Sequence, residues 1–350
     1  MKYIRSIVFL SCFICIFASC STEVDLYADY KDVPIIYGML NSRADTNFVK
    51  ITRAFCGTNV NPIDAYEVAL ISDSSNYTEK LDVHIVELKN TYGNHYHATG
   101  RVFHLDTITV HNKEEGVFYA PDQVVYYTTE TFKANSENER YSYRLVVVKP
   151  DGDTATALTS MVGDEDFAIV TGGVTFQSAP SEALGKISFR ADGVAPLYEV
   201  GMQFNYREQL AGQAMRQRNV RRSFGTRTLD QFNHINENSY YLEYSVNWLF
   251  NALANVIGGD TIVDTEHPNV VRYFDDFVIT ISAAGEDLYY YYLANQGQEY
   301  NSVGFISVYS NIEGGYGLFS SRTTIRKVVR LSKFSQEELY AKTSWGFVEQ

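Results

Sequence analysis

The chain predicts a mainly β fold: a β-sandwich in its first half, then a β-rich domain with two or three short helices. Three observations predict it. Between residues 33 and 160, short apolar runs bounded by turn residues recur with no helical period among them. From residue 198 to 207, apolar and polar side chains alternate strictly, the mark of a strand with one face buried and one wet. Helical spacing enters only later, in Trp248, Leu249, Ala252, Leu253 and Val256, and residues 285–296 read as a second helix.

In order, residues 1–19 read as a secretory leader. Lys2 and Arg5 precede an apolar run over residues 7–17, closed by Phe17-Ala18-Ser19-Cys20. The run is well short of the roughly 20 apolar residues that span a bilayer. Its ending resembles a lipobox, in which the cysteine is acylated and becomes the mature N-terminus. The competing reading is an ordinary cleaved signal with Cys20 incidental. Residues 20–32 are polar and acidic (Glu23, Asp25, Asp29, Asp32) and aperiodic, hence a tether. Acidic residues behind a lipidated cysteine resemble the surface-export signal of Bacteroidota lipoproteins.

The first domain is expected over residues 33–160. Pro34-Ile35-Ile36-Tyr37-Gly38-Met39-Leu40 and Phe48-Val49-Lys50-Ile51-Thr52-Arg53 are strands around a polar turn. Residues 81–88 form a strand that turns near Tyr92 into a second, making a hairpin. Tyr141, Tyr143, Leu145 and Val147 alternate with Ser142, Arg144, Val146 and Val148, and Pro150-Asp151-Gly152-Asp153 ends that strand. The Gly- and Ser-rich texture over 161–184 places a boundary, with a second domain over residues 165–350. Its first strand is residues 198–207, followed by a strand pair over 213–228. A helix carrying Trp248 is stopped by Gly258-Gly259, and a strand over 270–282 precedes a second helix over 285–296. Strands over 305–308 and 323–331 follow, and Ser335 and Glu338 have capping-box spacing for a terminal helix.

Composition limits function. A net charge of −13 argues against nucleic acid, which needs a basic surface, and against adhesion through a polybasic patch. The mature chain of about 330 residues is long enough for two cores. Of the four cysteines, Cys12 and Cys15 lie in the leader, Cys20 is acylated, and Cys56 alone remains, too few for an internal disulfide. Cys56 reads as a small buried residue.

Candidate sites each have an ordinary alternative. His84, His95 and His97 are donors of zinc or copper type, brought near one another by the hairpin; polar histidines on an exposed strand are the ordinary reading. Arg207, Arg216, Arg218, Arg221, Arg222 and Arg227 make a basic island. It is either an edge strand defended by charge or a surface for an anionic partner built on Arg218, Arg221 and Arg222. Tyr289-Tyr290-Tyr291-Tyr292 surrounds one helical turn with rings, either for packing or as a contact surface led by Tyr289, Tyr290 and Tyr292. Asp151-Gly152-Asp153 and Asp275-Asp276 lack calcium-loop spacing. Gly314-Gly315-Tyr316-Gly317 lacks the helix of a phosphate cradle and reads as a tight turn that docks Tyr316 and Phe319. No serine elbow, Cys-His pair or HExxH occurs, and no cofactor is expected.

The order of elements resembles uncharacterised Bacteroidota outer-membrane lipoproteins that carry the domain of unknown function numbered 4249. Three stretches carry it: Ile35-Ile36-Tyr37-Gly38 leading into Val49-Lys50-Ile51-Thr52-Arg53, then Tyr143-Arg144-Leu145-Val146-Val147, and Val308-Tyr309-Ser310-Asn311-Ile312-Glu313-Gly314-Gly315-Tyr316-Gly317-Leu318-Phe319. The resemblance implies an immunoglobulin-like or transthyretin-like N-terminal sandwich and no enzyme activity. The expectation is a non-catalytic protein, acyl-anchored in the outer membrane and facing the cell exterior. It would act as a binding or accessory component, with a TonB-dependent outer-membrane receptor as the partner. A glycan- or host-protein-binding adhesin is the alternative, and a metal-dependent hydrolase the third reading.

Overall fold

The structure, a computed structural model, describes residues 32–54, 76–91, 95–111, 122–136, 138–257, 270–296 and 309–349. Strands take 55% of these and helices 14%, so the fold is mainly β and sandwich-like. The leader with Cys20, Cys56, Gly258-Gly259 and the strand expected over 305–308 lie outside the described residues. No helix among those described is long and apolar enough to cross a membrane.

The first half contributes β1 (Pro34–Leu40), β2 (Asn47–Arg53), β3 (Asp82–Thr91), β4 (His95–His104), β5 (Asp106–Val110), β6 (Gln123–Thr128), β7 (Arg140–Val148) and β8 (Thr154–Ser160). Alternation dictates the faces: β1 buries Ile36 and Leu40 and exposes Tyr37, and β7 buries Tyr143, Leu145 and Val147. The β1–β2 turn is closed by side chains. Asn47 Oδ1 accepts the Asn41 N–H at 2.7 Å, and Asn47 Nδ2 donates to the Asn41 carbonyl at 3.2 Å. β4, β3, β7 and β8 make one sheet. Its inner face (Val83, Ile85, Leu145, Val147) meets Ile36, Val49 and Ile51 of β1 and β2 in one core.

The second half adds β9 (Ala168–Ile169), β10 (Gly173–Val174), β11 (Leu184–Arg190), β12 (Leu197–Leu210), β13 (Arg216–Thr228), β14 (Asn233–Asn236), β15 (Ser239–Ser245) and β16 (Val270–Ala284). It ends on β17 (Tyr316–Leu331), with helices α1 (Trp248–Ile257), α2 (Glu286–Gln296) and α3 (Lys333–Ala341). β12 buries Tyr198, Val200, Met202, Phe204 and Tyr206, the five residues its alternation puts inside. The pair expected over 213–228 is one strand: residues 216–228 run along β12 as a single antiparallel ladder, interrupted by a bulge at Phe224 and Gly225, and Gln213 lies in the turn before it. In α1 the buried residues are Leu249, Phe250, Leu253 and Ile257, and Val256 is 62% exposed. The stripe is therefore rotated from the expected one. The cap of α3 is Ser332, whose side chain accepts the Ser335 N–H. Ser335 instead sits buried, exchanging hydrogen bonds with the Phe176 backbone (2.7 and 2.8 Å). Glu338 is likewise diverted, accepting the Ser178 N–H at 2.5 Å.

A long sheet runs in the order β13-β12-β16-β17-β1-β2-β6-β5 through both halves. β17 makes this continuity. Its residues Tyr316 to Ser321 pair in parallel with β1, and Arg322 to Val329 pair antiparallel with β16. Phe319 is fully buried in the first core while Tyr316 is 58% exposed, so only one of the two aromatics expected to dock does so. The second core packs β12, β16 and the end of β17 against β11, β15 and α1. Met161 belongs to the first core and Val162 to the second, whereas Ile312 and Phe319 return from the far end of the chain to the first. Ser321 Oγ ties the crossing, accepting the Val162 N–H at 3.0 Å and donating to the Ser160 carbonyl at 2.6 Å.

Candidate functional site

The described cleft with aromatic walls lies between α2 and the open face of the long sheet. Gly285 N–H donates to the Ser321 carbonyl at 2.9 Å, and Leu288 N–H to Ser320 Oγ at 3.2 Å, which seats the first turn of α2 on β17. Asp287, in that turn, accepts the Tyr309 hydroxyl at 2.9 Å. Burial raises the Asp287 carboxyl above its usual range, while the hydrogen bonds from Tyr309, Thr159 and Asn311 oppose that shift. Burial and the Asp287 carboxylate together raise the Tyr309 hydroxyl well above the ordinary phenol value.

From this seat Leu288, Tyr291, Tyr292 and Asn295 project as one wall, spaced i, i+3, i+4 and i+7 along a single helical face. Opposite stand Glu199 of β12, Thr226 of β13, Ser282 and Ala284 of β16 and Arg322 of β17, around a space of about 280 Å³. Arg322 donates to Glu199 Oε2 at 3.1 Å, and both side chains are about half exposed (45% and 46%). Their charges thus stay wet enough to meet a ligand, with only a modest mutual attraction. Arg322 also borders a second, more polar hollow of about 510 Å³ lined by Asn41, Asn47, Phe48 and Thr324. Rings, an amide, hydroxyls and a charged pair facing one another can stack on a flat apolar face and hydrogen-bond its polar edge.

Of the tyrosines singled out from sequence, Tyr292 lines this cleft. Tyr290 does not: it stacks near Tyr289 and Tyr309 (5.5 and 5.8 Å between centroids) and donates to Glu286 at 2.8 Å. Tyr291, Asn295, Glu199 and Arg322 were not singled out. Tyr291 and Asn295 carry no signal of their own, because four consecutive tyrosines leave α2 without an apolar period; Glu199 and Arg322 have none either, because only sheet register brings them together.

The arginines divide between two faces of β13, the terminal strand of the sheet. Arg218 pairs with Tyr206 and Arg222 with Met202, on the face that β12 buries; Arg221 pairs with Gln203 on the open face. Arg218 donates to Glu208 at 3.3 Å, and Glu208 also holds the buried Arg272 at 2.8 Å. Arg222 lies over the Phe224 ring at 4.7 Å, and partial burial lowers its guanidinium pKa. Arg207 is held by Asp275 at 2.6 Å. Arg218, Arg221 and Arg222 therefore do not present one common surface.

In the β3–β4 ladder, His95 lies opposite Thr91 and His97 opposite Lys89, whereas His84 lies opposite His104. The register keeps His84 apart from the other two, roughly 20 Å along the strand at 3.3 Å per residue.

No protein-family model matches the chain, and no curated protein matches it.

Proposed function

We propose that the protein is a non-catalytic, lipid-anchored component of the bacterial outer membrane that binds a glycan in the cleft beneath α2. The observation that carries this reading is the opposition of Tyr291, Tyr292 and Asn295 to the Glu199–Arg322 pair and the hydroxyls of Thr226 and Ser282. Sugar rings offer an apolar face for tyrosine to cover and hydroxyl edges for amide, carboxylate and guanidinium to bond. Anchoring rests on the leader and Cys20, since the three acyl chains of a mature bacterial lipoprotein exceed the two signals that stable anchoring needs. Kinship with the lipoproteins of domain of unknown function 4249 rests on the three stretches quoted above. An accessory role beside a TonB-dependent receptor follows from that address alone and not from residue chemistry.

One preparation tests both halves. Cys20→Ala is expected to move the protein from the membrane fraction to the soluble fraction. That soluble protein is expected to bind a subset of an immobilised glycan panel, and adding Tyr291→Ala with Tyr292→Ala should weaken binding about tenfold or more. Retention of Cys20→Ala in the membrane would sink the anchor. Glycan binding indifferent to the tyrosine pair, or none at all beside co-purification with a β-barrel, would replace the cleft reading with the accessory one.

A further inference from the structure

We propose that Asp82, His84 and His104 form a binding site for one transition-metal dication of the zinc or copper class. The site is independent of the cleft under α2 and lies on the outer face of the first sandwich. His84 of β3 and His104 of β4 are direct partners in the antiparallel ladder, so their side chains leave the sheet on the same side. Asp82 is two residues before His84 and shares that face. One donor atom from each of the three lies within 4.8 Å of the others. His84 Nδ1 and Asp82 Oδ1 are 3.4 Å apart, and the two imidazole rings are 5.5 Å apart between centroids, tilted by 43°.

Tetrahedral zinc with bonds near 2.1 Å sets its donors about 3.4 Å from one another. The three residues therefore need side-chain rotation of the order of 1 Å and no backbone movement. The backbone is held in place from beneath. Val83, Ile85, Phe103 and Leu105, which flank the histidines and point inward, are all 4% exposed or less. The Leu105 N–H donates to the Val83 carbonyl at 2.9 Å directly beside the site. β7 places Val146 next to His84 and Val148 next to Asp82, and the cation of that strand on this face, Arg144, stands one pair further along, opposite Val86. Asp82 is 60% exposed and His84 21%, which leaves an approach from solvent. Two imidazoles and one carboxylate are the donors that zinc and copper accept, with a further position left to water or another ligand.

The full chain in detergent, purified without a histidine tag and stripped with chelator, is titrated with ZnCl2 and with CuSO4. The expected result is one ion bound per chain. His84→Ala and His104→Ala should each lower the affinity at least about tenfold, and Asp82→Asn, which keeps shape, should lower it less. The double variant His95→Ala/His97→Ala is expected to bind as the parent does. No uptake, or uptake that survives both His104→Ala and Asp82→Asn, or uptake abolished by the His95/His97 pair, would overturn the site. Because all three residues are on an outer sheet face, unchanged far-ultraviolet circular dichroism is expected for each variant.

Discussion

Alanine in place of Asp192 is expected to destabilise the fold by about 3–5 kcal/mol, read as a lowered urea midpoint at neutral pH. Asp192 is 3% exposed, and its carboxylate accepts four backbone N–H groups. Oδ2 takes those of Gly163 and Asp164 at 2.8 and 2.7 Å; Oδ1 takes those of Val194 and Ala195, both at 3.0 Å. Alanine leaves all four donors without this partner, and an orphaned buried donor costs about 1–3 kcal/mol. Costs of this kind do not add fully, because the partly buried donors recover water. Asparagine separates charge from shape: its amide oxygen can serve one pair of N–H groups, while its NH2 group confronts the other. Asp192→Asn should therefore be nearly as damaging as alanine despite equal size. An isosteric asparagine that restored the parental midpoint would show that packing and not hydrogen bonding gives Asp192 its weight.

The position of Asp192 explains why the effect should spread. Gly163 and Asp164 follow directly on the step from the first core at Met161 to the second at Val162. The Tyr198 hydroxyl donates to the Asp192 carbonyl at 3.1 Å, so the same residue reaches the start of β12. Loss of the carboxylate loosens the chain where it passes from one sandwich to the next.

How much of this was legible depended on whether the relevant contact is local. β12 could be read because a period of two over ten residues admits one assignment of faces, and each of its five inward residues is buried. β1, β2 and β7 were legible for the same reason. α1 was legible as a helix but not in its rotation: Trp248-Leu249-Phe250 is apolar on every side, so the choice between Phe250 and Val256 belongs to the sheet it covers. In α2, four consecutive tyrosines erase the period altogether, and the face that lines the cleft emerges only once β17 fixes where Gly285 sits. The α3 cap fell on Ser332 because Ser335 is taken up by Phe176, a contact between distant parts of the chain. Nothing local marks Glu199 and Arg322 as partners, nor His104 as the partner of His84. Both pairings are matters of register, and a shift of one residue in either ladder would turn the side chains to opposite faces.

The same dependence on register makes Gly317→Ala the most damaging single substitution to expect. Gly317 has φ +122°, where a side chain is strained, and it is the direct partner of Ile36 across the parallel β1–β17 ladder. A Cβ there would run into the Ile36 carbonyl oxygen, with the Ile36 carbonyl carbon and nitrogen only 2.8 and 2.9 Å away. Backbone cannot swing aside as a side-chain tip can, so the two strands must part. The residues that would move with them, Ile36 and Phe319, are both fully buried in the first core. Strain, lost ladder bonds and opened packing together are expected to cost at least about 4 kcal/mol. Gly212→Ala is the control. It also has positive φ (75°) but nothing within 4 Å of its Cβ position, so only the backbone penalty of about 1 kcal/mol is expected. Urea unfolding of the two variants side by side separates the contributions. Equal losses would mean that conformation alone matters at Gly317 and that the close approach of β1 does not. A far larger loss at Gly317 would locate the seam of the long sheet where β1 meets β17.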